Sequence, residues 1–192
     1  TSPTPPGPGE WGTIGAWAWG ASRIIDYLAL DKAVDAKRIA LYGHSRLGKT
    51  ALWASALDER IAAVFSSCSG EMGAALSRRD WGETVDDMAQ NFPYWFTTSF
   101  QQWAGRWNDM PVDAHMLIAL SAPRPVFVTG GTNDQWADPV GEFLAEQPVE
   151  NARHARGKPA LRHARRTLHV EDYRIAFDLL FNLLHHVHKS VL

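Results

Sequence analysis

Ile39-Ala40-Leu41-Tyr42-Gly43-His44-Ser45-Arg46-Leu47-Gly48-Lys49-Thr50-Ala51-Leu52 is the stretch that decides the fold. A short apolar strand ends in a glycine, one serine occupies the turn, and a helix begins at once. That is the order of a nucleophile elbow, in which a strained corner holds a serine with its Oγ exposed. Small residues must flank such a serine because the strand and helix backbones pass close together. Gly43 and Gly48 meet that need, with spacing G-x-S-x-x-G rather than G-x-S-x-G. As a bare pattern it also fits a phosphate-binding or plain βα turn. The strand–turn–helix context makes Ser45 a candidate nucleophile.

Outward from the elbow, the pattern is α/β. Residues 1–9 are a Pro/Gly leader without periodicity. Residues 16–30 have helical spacing (Trp17, Ile24, Ile25, Leu28) and predict a helix packed on a sheet. Strands are expected at 39–42, 61–66 and 125–129, and helices at 47–57 and 113–119. A helix should begin within 140–146, and an amphipathic one should close the chain over 172–187. Residues 80–106 read as a long Trp- and Phe-rich excursion. Helices alternating with apolar strands imply a largely parallel sheet with flanking helices.

Composition narrows the function. The 192 residues are enough for one domain with a sizeable core. A net charge of -2 argues against a nucleic-acid surface, and no apolar run is long enough to span a bilayer. The chain opens on Thr1 without a signal peptide, which says nothing about export. One cysteine, Cys68, excludes an internal disulfide framework and a multi-cysteine metal site. No cofactor or metal is expected. The nine tryptophans serve either core packing or stacking on sugar rings.

A serine nucleophile needs a histidine base, and the histidine needs a carboxylate to fix its tautomer. Asp134 lies in the loop after the third strand, where doubly wound sheets place working residues. In the order Ser…Asp…His it occupies the acid position. The competing reading is a turn aspartate bonding its own backbone, common in Asn-Asp loops.

Trp17-Ala18-Trp19-Gly20, Gly43 to Lys49, Gly82-Glu83-Thr84-Val85, Phe92-Pro93-Tyr94-Trp95-Phe96 and Trp136-Ala137-Asp138-Pro139 occur in that order. Together, over about residues 10–146, they resemble the bacterial-type glucuronoyl esterases of carbohydrate esterase family 15. The resemblance implies an α/β-hydrolase fold and metal-free cleavage of the ester joining 4-O-methyl-glucuronic acid on xylan to lignin alcohols. It implies a glucuronoxylan or lignin–carbohydrate ester as substrate, and a secreted or periplasmic location. Ser45 would be the nucleophile and Arg46 would supply donors to the oxyanion. Lys49 and Glu83 would bond sugar hydroxyls, and Trp136 would lie on the sugar. Each has a plainer reading: a solvated arginine, a surface lysine, a helix-start carboxylate, a core indole. His44 would only pack beside the elbow. Some members of the family carry the triad acid where Cys68 stands, so here Asp134 takes that role. Cys68 itself reads as a buried small apolar residue, and Glu71 falls three residues beyond the position, although a loop could bring it near.

The resemblance departs from the family after about residue 147. Counting back from Val170-Glu171-Asp172-Tyr173 puts Arg166 at the histidine position, and an arginine cannot shuttle protons at neutral pH. His169 is the better-placed substitute and His163 the next. His185, His186 and His188 suit an exposed helix end. The strands that precede the elbow in a whole α/β-hydrolase are missing here, so residues 10–192 read as the C-terminal part of an esterase domain. Two other classes stay open. One is a different serine ester hydrolase, such as an acetyl-xylan esterase. The other is an inactive or carbohydrate-binding remnant, which Arg166 favours.

Overall fold

A computed structural model describes residues 6–155. Three strands, β1 (Ala40–His44), β2 (Ala63–Ser67) and β3 (Val126–Thr129), form a parallel sheet in the order β1-β2-β3. Their register pairs His44 with Ser67 and Ser67 with Thr129, so the carboxyl ends of all three finish level. Parallel neighbours need crossovers, and helices supply them. Helix α2 (Arg46–Leu57) joins β1 to β2, and the segment holding α3 (Val85–Asn91) and α4 (Ala114–Leu120) joins β2 to β3. Helix α1 (Thr13–Leu28) precedes β1 and α5 (Pro139–Ala155) follows β3.

The main core lies where Val64 and Val126 of the sheet meet Ala51 and Leu52 of α2, Ile118 of α4 and Ala145 of α5. Ala18 and Ile25 of α1 pack beside it on Ala54 and Ile61. The strands and helices expected within the described residues are therefore present, within a few residues of their predicted ends. No helix among the described residues is long and apolar enough to cross a membrane.

The 80–106 excursion is more ordered than its sequence reading. Thr84 and Asp87 form a capping box that starts α3, each side chain accepting the other's backbone N–H. Val85 and Met88 then join Ile14, Trp95 and Phe100 in a separate aromatic cluster. Helix α1 has Gly12 as its N-cap and no side chain to cap it. The excursion substitutes: Tyr94 O accepts from Thr13 N at 2.9 Å and Trp95 O accepts from Ile14 N at 3.1 Å. A Cβ on Gly12 would lie 2.4 Å from that Trp95 oxygen, so glycine lets the two backbones meet.

Candidate active site

The elbow is built as a close crossing of strand and helix. A Cβ on Gly43 would sit 1.9 Å from Leu47 O, and one on Gly48 would sit 2.9 Å from Ser69 Cβ. The position that usually carries glycine is Leu47, whose side chain is half exposed, so the longer G-x-S-x-x-G spacing is tolerated. Ser45 is exposed and adopts φ 55°, ψ −127°. A non-glycine residue held there costs about 1–3 kcal/mol and persists only when its surroundings dictate it. They do so here: Ser45 N donates to Ser67 O at 2.8 Å, and Ser45 O accepts from Gly48 N at 2.8 Å.

The level strand ends bring three loops together. Neighbouring strands lie about 4.8 Å apart, so Ser45 and Gly130, on either side of β2, stand about 10 Å apart along the carboxyl edge. Cys68 lies between them at φ 46°, its N–H donating to Thr129 O at 2.7 Å. It is half-buried rather than buried, because the left-handed turn swings it out of the strand. Burial raises its thiol pKa, opposed by a hydrogen bond from the Gly131 backbone. Ser67 Oγ contacts both the Cys68 sulfur, at 3.9 Å, and His44 Nδ1, at 3.3 Å. Asp134 lies close enough to affect the thiol electrostatically. Its carboxylate accepts from Ala137 N at 3.3 Å, so the turn reading of Asp134 is realised alongside its place at the edge.

Lys49 is not a surface lysine. It is 2% exposed, and its Nζ donates to Ser69 O at 2.6 Å and Glu71 O at 2.8 Å and pairs with Glu83 Oε2 at 2.9 Å. These three acceptors match the three protons of an ammonium. Burial lowers the Lys49 pKa, while the charge and hydrogen bond of Glu83 oppose that shift. Glu83 is in turn fastened to Trp136, whose carbonyl accepts from Glu83 N at 2.8 Å. Gly82, at φ 81°, leaves room for this, since a Cβ there would lie 2.4 Å from the Trp136 oxygen. Trp136 is 54% exposed and so is not a core indole. Arg46 is exposed, with its guanidinium 5.8 Å from the Trp95 ring centroid.

The family whose description is "Glucuronyl esterase, fungi" matches residues 7–152. The chain belongs to the glucuronoyl esterase family. It is 55% identical over 147 residues to the carbohydrate esterase MZ0003 of an unknown prokaryotic organism, covering 77% of this chain and 34% of that protein. It is 34% identical over 142 residues to the 4-O-methyl-glucuronoyl methylesterase of Podospora anserina, covering 69% of this chain and 30% of that protein. The solved glucuronoyl esterase from Solibacter usitatus superposes with a TM-score of 0.76 at 48% identity, over 84% of this chain and 41% of that one. The fold is therefore part of an α/β-hydrolase, and the chain spans about a third of the length of the curated relatives it matches.

Set within this family, Ser45, Arg46, Lys49, Glu83, Asp134 and Trp136 all lie within the matched residues. His163, Arg166 and His169 lie outside the described residues, as does the predicted helix over 172–187. Two further buried carboxyls shape the site: Glu71, which the sequence offered only as a displaced triad acid, and Glu142, which it did not single out. Glu71 spends its oxygens on Trp81 N and Val85 N, both at 3.1 Å, which pins the excursion and leaves it no part in a triad. Burial pushes its pKa up to about 8. Glu142 Oε1 accepts from Ser69 N at 2.7 Å and Gly70 N at 3.2 Å, and its Oε2 is buried without a partner. Burial pushes Glu142 up to about 7. In sequence Glu142 shows only as an acid in a first helical turn, which the helix dipole explains by itself. No cluster of His, Cys, Asp and Glu among the described residues is arranged to hold a metal ion.

Proposed function

We propose that this chain carries the serine-bearing part of a glucuronoyl esterase. It would hydrolyse 4-O-methyl-glucuronoyl esters of the kind that cross-link xylan to lignin. The observation that carries the reading is Ser45, exposed on a strained corner at the edge where the loops of Asp134, Glu83 and Trp136 converge. In the first step Ser45 Oγ attacks the ester carbonyl and its proton passes to a histidine, for which His169 is our candidate and His163 the alternative. The collapsing oxyanion, met by Arg46, expels the alcohol, which takes the proton. Water then attacks the acyl-enzyme, releasing the uronic acid and restoring the serine. Asp134 orients the histidine, Trp136 faces the sugar, and Glu83 accepts from its hydroxyls. Lys49 belongs to the same binding set; with its protons held by the protein, it serves by fixing Glu83 and the loop at residues 69–71. A substrate of that class supports a location outside the cytoplasm, secreted or periplasmic.

The test is hydrolysis of methyl 4-O-methyl-glucuronate and of acetyl-xylan by the full chain. Release of methanol that disappears in Ser45→Ala and in His169→Ala, with acetyl-xylan untouched, is the expected outcome. Acetate release in place of methanol release points to a different serine esterase. If neither ester turns over while glucuronoxylan binds Ser45→Ala and the parent equally, the protein is a binding remnant.

A further inference from the structure

Arg46 opens α2 with an exposed side chain. A free arginine spreads over many rotamers, at an entropic cost of about 2 kcal/mol to order. Charge stabilisation at a developing oxyanion works when the donor is already in place. Among the described residues no carboxylate pairs with Arg46, and its recorded partner is an aromatic face. The guanidinium carbon lies 5.8 Å from the Trp95 ring centroid, within the range of about 6 Å over which an indole attracts a cation.

We propose that Trp95 is a positioning residue for Arg46, its indole holding the guanidinium beside the Ser45 corner. This rests on the esterase reading above and adds a residue to it. Trp95 is suited to the task because it is packed in on several sides. It is 3% exposed, its ring stacks on Phe92 at 4.0 Å with 6° between planes, and its carbonyl accepts from Ile14 N. An indole is also the right kind of partner. A carboxylate would occupy the N–H fork and neutralise it, whereas a ring face attracts the cation and leaves all five donors for the substrate oxygen. The aromatic cluster of the excursion thereby acquires a purpose at the reaction centre.

The experiment follows phosphonylation of Ser45 by a fluorophosphonate, read by mass spectrometry on the full chain. The Oγ–P bond forms as P–F breaks, fluoride departs, and the serine proton passes to the base; the P=O oxygen stands where the oxyanion would. Trp95→Leu and Trp95→Phe are compared in the parent and in Arg46→Ala, with Ser45→Ala as the baseline. Losing one oxyanion donor costs about 10²–10³-fold, which an irreversible label resolves over hours. Trp95→Leu should slow labelling about 10-fold, as the loss of a partly desolvated cation–π contact implies, and Trp95→Phe should recover to within about 3-fold. In Arg46→Ala both substitutions should change the rate by less than about 2-fold, since independent sites would add and linked ones do not. Equal slowing by Trp95→Leu with and without Arg46 assigns Trp95 a packing role only and overturns the proposal, as does unchanged labelling of Trp95→Leu in the parent. If Trp95→Leu does not fold, Trp95→Met, which also removes the ring face, takes its place in the same comparison. A parent chain labelled no faster than Ser45→Ala overturns the esterase reading, and this inference with it.

Discussion

Lys49→Met tests the centre of the proposed sugar-binding arrangement. Methionine keeps most of the volume and the unbranched stem, so the loss is confined to the ammonium. That ammonium is the partner of Glu83, whose side chain is 8% exposed, and the donor to the carbonyls of Ser69 and Glu71. Removing one member of a buried ion pair costs about 3–5 kcal/mol, because the other charge is left without compensation. The two stranded carbonyls add to this, and relaxation of the site takes some of it back, so about 4 kcal/mol is the working figure. With a urea m-value of about 2 kcal/mol/M, the unfolding midpoint should fall by about 2 M. Tryptophan fluorescence against urea at pH 6 reads it, given nine indoles. Lys49→Met combined with Glu83→Gln removes the stranded charge and should regain about half the loss, a coupling that the single variants cannot mimic. A midpoint drop below about 0.5 M, or a double variant no better than Lys49→Met, would refute the reasoning, since Lys49 would then contribute no more than a surface charge.

Stability against pH should peak between about pH 4 and 5. Glu71 and Glu142 have folded pKa values of about 8 and about 7, above the 4.5 of the unfolded chain, so the stability tied to them is complete below pH 4.5 and is lost as pH rises through 7 to 8. Asp58, lowered to about 2 chiefly by its hydrogen bonds from Arg60, acts oppositely; its contribution is present above pH 3.8 and is lost as pH falls through 2. Urea midpoints at pH 5 and 8.5 should therefore differ in favour of pH 5, and Glu142→Gln should flatten that difference; a flat parent profile refutes the assignment. Ser45→Gly removes the side chain from a conformation that only glycine adopts freely, so thermal unfolding should show a gain of about 1 kcal/mol together with complete loss of ester cleavage. A destabilised Ser45→Gly would show that the corner is not strained.

What the sequence disclosed depended on how local its causes were. The strands and the longer helices were legible because apolar periodicity over two or more turns, or a β-branched run bounded by turn residues, is set within a dozen positions. The elbow was legible for the same reason, since Gly43, Ser45 and Gly48 meet within one crossing. Helices α3 and α4 both have seven residues, but α4 is almost wholly apolar, whereas α3 offers only Val85, Met88 and Ala89 among polar residues, and its clearest local sign was Thr84-x-x-Asp87. Cys68 read as a core position because nothing near it announces φ 46°.

The buried charges were illegible for a deeper reason. Lys49 occupies the first turns of a helix, where sequence gives it every reason to face water. What draws it inward is a set of acceptors 20 or more residues away, on a loop whose own shape is fixed by Glu142 from a third segment. Each of these groups would be costly to bury by itself, so the arrangement is stable only as a whole and no window of sequence contains it. The family motifs nevertheless marked Lys49, Glu83 and Trp136 together. The geometry supplies a physical basis for that grouping: the ammonium fixes the carboxylate, and the backbone joins the carboxylate to the indole. A substitution at any one of the three should therefore be felt at the other two, and under the proposed function sugar affinity should change with all three as a unit rather than as a sum.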